Sequence, residues 1–175
     1  RDSETAEMAF SAAMTGHQVH STLHTNSAIG AIPRLLDIGI LPDIMAGNII
    51  GVIAQRLIRR LCQHCKEEFE PDDMERLLLG LKEIDTPVKI FRAVGCSHCG
   101  HQGYKGRLAI LEILKINADL DDLIARRATQ RELRNAALAS GFRPLVEDAV
   151  RRVLEGVTTL DEISRVVDLT DRLNS

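Results

Sequence analysis

The sequence predicts an α/β protein with an inserted four-cysteine zinc subdomain and a helical C-terminal bundle. Three observations carry that reading. Short runs of strand character lie among helical segments, two matched cysteine knuckles sit in a Gly- and Pro-rich stretch, and the tail is punctuated by helix caps and glycines. The chain has 175 residues, enough for one sizeable domain or a core with an appendage. It is 45% hydrophobic and 27% charged, a globular composition. Aromatic residues make up only 3%, with no Trp and one Tyr, Tyr104, so the core must be aliphatic.

In chain order, Ser3 to Thr15 reads as a helix that Asp2 or Ser3 can cap and Gly16 can end. His17 to His24 alternates and reads as a strand, with Val19, Ser21 and Leu23 on one face. Asn26 or Ser27 can cap a second helix running to Asp37 and stopped by Gly39; Pro33 should kink it or push its start later. A third helix fits Asp43 to about Leu61, with an apolar stripe through Ile44, Ile49, Ile50, Val52, Ile53, Leu57 and Ile58.

From Cys62 to Arg107 only Asp72 to Lys82 looks helical, and Leu108 to Leu114 then resembles a buried strand. The tail is helical: Asp119 to Arg127, a helix opened by a Thr129–Glu132 capping box and ended at Gly141, one begun at Pro144 and closed by Gly156, and a last one opened by Thr159 with Glu162. The expected organisation is therefore a core segment 1–61, a tetracysteine subdomain 62–107, and a strand with the helical region 108–175.

The cysteines fall as Cys62-x2-Cys65, thirty residues, then Cys96-x2-Cys99. Paired knuckles of this kind supply four thiolates, the set that closed structural zinc sites use. Gly95 and Gly100 permit the tight backbone of the second knuckle. Two disulfides or four inert thiols are the competing readings. No secretory signal opens the sequence to favour disulfides, and inert thiols would not fall into matched pairs. His64, His98 and His101 lie in or beside the knuckles, but with four thiolates available they are not assigned to the metal. Such sites are worth roughly 10–16 kcal/mol of apparent folding free energy in isolated zinc modules.

His17, His20 and His24 form a second cluster. On a strand His20 and His24 share a face but stand roughly 13 Å apart, too far for one ion. Spacing alone leaves two readings open: a histidine-rich strand end, or an edge presenting imidazoles to an anion such as phosphate.

Formal net charge is -3 and the pI about 6.1, so the basic footprint of a nucleic-acid binder is absent in bulk. Arg56, Arg59 and Arg60 form a local basic cluster. No apolar run approaches the ~20 residues that span a bilayer, and a cytoplasmic location is expected. The first residue is Arg rather than Met, which suggests a portion of a longer chain.

The opening residues carry a resemblance. Arg1, Asp2, Glu4, Thr5 and Ala6 match the second half of the Walker B segment of type II secretion and type IV pilus assembly ATPases, and Gly16, His17, Thr22, Leu23, His24 and Thr25 resemble that family's histidine box. Arg34 to Gly39, the AQRLIRRLC run from Ala54 to Cys62, GYKGR from Gly103 to Arg107 and the C-terminal helices resemble further family segments in the same order. Pro33 departs from the family's regular helix.

The resemblance implies the C-terminal part of a RecA-like P-loop ATPase domain, working as a homo-hexameric motor with ATP and Mg2+ and docking on an inner-membrane platform protein, with no direct membrane insertion and no nucleic acid. It implies catalytic roles for His17 and His24, which fall on the box histidines that contact the terminal phosphate; His20 lies outside that pattern. Asp2 and Arg107 are implied in nucleotide binding, Arg107 with a plain surface salt bridge as its equal alternative. Arg56, Arg59 and Arg60 either face a nucleotide or neighbouring subunit, or line a solvated helix face. The knuckle pair, which retraction motors generally lack, points to an assembly or secretion motor. No GxxxxGK[ST] loop is present, so these residues by themselves are expected not to hydrolyse ATP. The rival from another class is a zinc-ribbon module binding nucleic acid or protein.

Overall fold

The structure, a computed structural model, describes residues 2–81 and 87–173. Arg1, part of the Walker B match, and Lys82, the expected end of a helix, lie outside them. The chain divides into two compact units: Arg1–Ala54 with Glu112–Arg143, and Gln55–Leu111 with Pro144–Ser175.

The first unit opens with α1, Ser3–Met14, whose N-cap Asp2 accepts the Thr5 amide at 2.8 Å. Residues 17–25 carry no regular structure, so the strand expected over His17 to His24 is overturned. An alternating segment becomes a strand only beside a partner that takes its backbone groups, and among the described residues none does. Next comes α2, Ala31–Asp37, with Pro33 in its first turn, where a missing N–H costs nothing. The helix indeed starts later than Asn26 or Ser27 would set it.

The third predicted helix, Asp43 to Leu61, is replaced by a four-residue α3, Pro42–Met45, and by strand β1, Gly51–Leu61. Its apolar stripe fits both periods. The strand wins because Val52, Ile53 and Ile58 are β-branched, and burial alternates with Ala54 and Ile58 inside and Ile53 and Leu57 exposed. The unit's core joins Ala28, Ile32, Leu35 and Met45 to Leu120 and Ile124 of α5, Ala118–Ala125, and to Leu133 and Ala137 of α6, Gln130–Ala139. The predicted Thr129–Glu132 capping box is present.

The second unit holds hairpin strands β2, Glu67–Phe69, and β3, Ile90–Arg92, paired antiparallel with Glu67 opposite Arg92. Between them lies α4, Asp73–Leu79, opened by a capping box from Asp72. Strand β4, Tyr104–Lys115, pairs with β1 and outruns the predicted Leu108 to Leu114. It is half-buried rather than fully buried: Ile110, Glu112 and Leu114 face in, Leu111 and Ile113 face out.

Helices α7, Leu145–Leu154, α8, Leu160–Ser164, and α9, Thr170–Leu173, complete this unit. The amphipathic α7 buries Leu145, Ala149, Val150 and Val153 against Ile58, Ile90 and Ile110. Each fully buried Leu, Ile or Val there contributes about 1.5–3 kcal/mol. The tail helices thus divide between the two units, α5 and α6 in the first and α7 to α9 in the second, where the sequence suggested one bundle.

Gly156 ends α7 at φ +67, and a Cβ there would fall 2.5 Å from the Phe91 ring. Its carbonyl accepts Lys66 Nζ at 2.9 Å, and that ammonium stands 4.2 Å over the same ring.

Candidate functional site

The two knuckles converge. At the end of β1 the Cys62 amide donates to the Gly103 carbonyl at 2.9 Å, and the chain turns back so that the Lys66 amide reaches the Cys62 carbonyl at 3.1 Å. In the second knuckle Ser97–Cys99 form a 3-10 turn, and the His101 amide closes onto the Cys96 carbonyl at 2.9 Å. The four sulfurs lie within 4.8 Å of one another. Cys62 to Cys96 is 3.9 Å, Cys65 to Cys99 is 3.8 Å, and Cys96 to Cys99 is 3.9 Å. These separations are far beyond a disulfide bond of about 2.05 Å, and all four cysteines are free. The set can hold a metal ion.

Backbone amides aim at the sulfurs: Gly95 donates to Cys65 Sγ at 3.3 Å, and Cys96 and Gly103 each donate to Cys99 Sγ at 3.2 Å. The Cys96 amide above all, against burial and with help from Gly103, draws the Cys99 thiol down to about 6. Burial pushes the Cys65 thiol up to about 12. The hydrogen bonds around Cys99, the Cys96 amide first, therefore favour one thiolate, and further deprotonation calls for a cation. Gly103 has no room for a side chain, since at φ +75 its Cβ would meet the Ala93 Cβ at 2.6 Å. His64 and His98 are exposed and stack on each other, centroids 4.1 Å apart, and the exposed His101 takes a left-handed conformation.

In the first unit, His17 and His20 are exposed, with His17 Nδ1 at 3.0 Å from Thr15 Oγ1. His24 lines an open polar recess with Thr25, Asn26, Ser27, Arg34, Asp37 and Gln130. The structure thus brings His24, but neither His17 nor His20, to that recess. Asp2 is exposed, and the Thr5 amide it caps lowers its pKa. Arg107 is exposed on the part of β4 that belongs to the second unit.

The basic cluster stands on a strand, not on the helix face expected for it. Arg59 is committed to Glu162: its amide donates to Oε1 at 2.9 Å, and Nε and Nη2 donate to Oε2 at 2.8 and 2.5 Å. The same guanidinium lies 4.1 Å over the Tyr104 ring, whose hydroxyl is 2.8 Å from Thr159 Oγ1. Burial tends to raise the Glu162 pKa, but the Arg59 contacts outweigh it and hold the carboxyl below its usual value. Thr159 caps α8 as predicted, accepting the Glu162 amide at 3.1 Å, while the Glu162 carboxylate turns to Arg59.

Two buried carboxylates stand outside the predicted site residues. Glu162 stands at the capping-box position after Thr159, yet its carboxylate pairs with Arg59. Glu112, 4% exposed, accepts the Ala28 amide at 2.5 Å. Its signal was legible: a lone carboxylate in step with Ile110 and Leu114 on the buried face of an apolar strand.

Comparison with known proteins places these features. The profile of the family described as type II/IV secretion system protein matches residues 1–165. The chain is 44% identical to the type IV pilus assembly ATPase TfpB of Acinetobacter baylyi over 97% of its own length and 29% of that protein. It is 46% identical to type II secretion system protein E of Pseudomonas aeruginosa over 95% of its length and 33% of that protein. To the type IV pilus assembly ATPase PilB of Thermus thermophilus the identity is 43%, over 93% of this chain and 18% of that one. The chain therefore spans a third or less of these relatives. The crystal structure of the pilus retraction motor PilT with bound ADP shares the fold, with a TM-score of 0.65 at 22% identity, over 100% of this chain and 40% of that one. Among the described residues no helix is long and apolar enough to cross a membrane. On the extent of the profile match and the identity to these ATPases, the chain belongs to the type II/IV secretion system protein family.

Proposed function

We propose that the chain is the C-terminal portion of a cytoplasmic, homo-hexameric ATPase that powers type II protein secretion or type IV pilus assembly. The observation that carries this is the near end-to-end likeness to assembly and secretion ATPases. In this reading residues 1–61 complete a RecA-like nucleotide domain, 62–107 form a zinc subdomain, and an inner-membrane platform protein is the docking partner. ATP and Mg2+ are held chiefly by parts of the motor outside this sequence.

His24 reports on the terminal phosphate from its polar recess, with His17 as a second imidazole on the same segment. A neutral or charged imidazole can donate a hydrogen bond to a phosphate oxygen. Asp2 and Arg107 serve nucleotide binding, Arg107 as an exposed cation suited to charge that develops on a phosphoryl group.

The metal is zinc, held by Cys62, Cys65, Cys96 and Cys99. A tetrahedron with Zn–S bonds of about 2.3 Å has edges of about 3.8 Å. Three of the six sulfur separations, at 3.8 to 3.9 Å, fit that figure, and all six lie within 4.8 Å. With four thiolates the ion has no open position, and what it supplies when bound is cross-linking of the two knuckles.

The test is steady-state ATP hydrolysis by the full-length motor, wild type against His24→Ala. A loss of turnover of about 100-fold is expected, on the scale of removing one positioned transition-state donor. Wild-type turnover in the variant would refute the phosphate-reporting role, and no hydrolysis by the wild-type motor would refute the function itself.

A further inference from the structure

We propose that Glu112 is a positioning residue for ATP hydrolysis: its buried carboxylate holds the Ala28 amide and thereby fixes where the histidine-bearing segment stands. The inference rests on the motor reading above and concerns the same His24. Residues 17 to 22 and His24 are exposed and without regular structure. Four residues after His24 the character of the chain changes abruptly, with Ala28 at 0% exposure and Ile29 at 6%.

The anchor at that boundary is Glu112. Its Oε1 takes the Ala28 amide at 2.5 Å, a charge-assisted bond formed out of water. The turn that follows is tied locally, with Thr25 Oγ1 donating to the Ser27 carbonyl at 3.0 Å and Ser27 Oγ accepting the Gly30 amide at 3.1 Å. These bonds stay within the turn and shape it. Glu112 attaches it to β4, 84 residues along the chain.

Four residues of extended backbone reach at most about 14 Å, so the position of Ala28 limits where His24 can stand. A carboxylate is an unusual choice on this face, where its neighbours Ile110 and Leu114 are 0% and 3% exposed. An acceptor-only group suits a backbone donor that is shut away from water. Ile or Leu at 112 would fill the same space and leave the Ala28 amide without this acceptor. Displacing a catalytic group by even 1 Å can cost on the order of 100-fold in rate, which is the leverage Glu112 exerts through His24.

The experiment compares four forms of the full-length motor: wild type, His24→Ala, Glu112→Ala and Glu112→Gln. Readouts are kcat and KM for ATP, together with hydrogen exchange over residues 24–30. Glu112→Ala should lower kcat by roughly tenfold or more with KM for ATP little changed, the signature of a contribution confined to the transition state. Exchange at the Ala28 amide should quicken at least about tenfold as its bond is lost. Glu112→Gln retains a carbonyl acceptor and should recover most of kcat, which a demand for charge alone would not allow.

If Glu112→Ala does not fold, Glu112→Asp, which withdraws the carboxylate by one methylene, must show the same loss. A folded Glu112→Ala or Glu112→Asp with wild-type kcat beside an impaired His24→Ala overturns the positioning role alone. A Glu112→Gln motor as slow as Glu112→Ala overturns it as well. Wild-type turnover in His24→Ala overturns the histidine reading and this proposal with it.

Discussion

Replacing Glu162 with Ala removes one side chain and strands two kinds of donor. The Arg59 amide loses its acceptor, bound at 2.9 Å, and the Arg59 guanidinium loses bonds of 2.8 and 2.5 Å. The costs are unequal because the sites differ in access to water. The Glu162 side chain is 8% exposed and that of Arg59 39%, so the guanidinium can rehydrate and recover much of its loss. An unpaired, partly buried amide costs about 1–3 kcal/mol. A half-exposed ion pair adds only about 0.5–1 kcal/mol after screening. The expected destabilisation is therefore about 1.5–4 kcal/mol, with Glu162→Gln, which keeps one acceptor oxygen, at about half.

Urea denaturation followed by far-UV circular dichroism at pH 7 measures it. A double-mutant cycle with Arg59→Leu should give a coupling of about 1–2 kcal/mol, since the residues are in direct contact. A Glu162→Ala midpoint indistinguishable from wild type, or a coupling near zero, would refute the claim that this contact locks α8 to β1.

Further expectations concern the metal, one glycine, acid and one hydroxyl. Elemental analysis should find one zinc per chain, and removing it with a chelator should expose four titratable thiols; Cys99→Ser should bind at least about tenfold more weakly, since losing even an outer-shell partner of a ligand costs about 10–100-fold. Gly103→Ala should destabilise by more than about 2 kcal/mol and weaken metal binding together, because its φ and the 2.6 Å approach to Ala93 both oppose a side chain. Thermal stability should fall as acid protonates Glu162, whose folded pKa lies below its unfolded one. That contribution is full above about pH 4.3 and is lost as pH drops through the folded value, and Glu162→Ala should flatten this acid limb. Tyr104→Phe should cost about 0.5–1.5 kcal/mol by deleting the hydroxyl contact with Thr159, readable in the same urea titration.

What sequence made legible was chemistry carried by spacing. The two CxxC knuckles announced a four-thiolate set, and the structure brings the sulfurs together. Caps were equally plain at Asp2, Thr129 and Thr159, because a side chain and an amide three residues on form a local, composition-driven bond. Failures came where tertiary partners decide. Ile49 to Ile58 satisfies helical and strand periods alike, and only pairing with β4 selects the strand. The histidine run alternates like a strand yet finds no pairing strand among the described residues. Glu162 followed the capping-box pattern, but a guanidinium 103 residues away is a better partner for its carboxylate than the adjacent amide.

The turn at Gly156 has a consequence for how sequences of this kind can drift. Lys66, Phe91 and Gly156 occupy one small volume, with the ring against the glycine and the ammonium shared between carbonyl and ring. None of the three can vary alone: a side chain at 156 displaces the ring, a smaller residue at 91 leaves Lys66 half-engaged, and loss of Lys66 strips the carbonyl of its donor. The left-handed backbone at 156 favours glycine whatever stands at 91, so coordinated substitution should fall on Lys66 and Phe91. Such paired exchange would register in an alignment as correlated change between positions 66 and 91, a record of contact written without any catalytic demand.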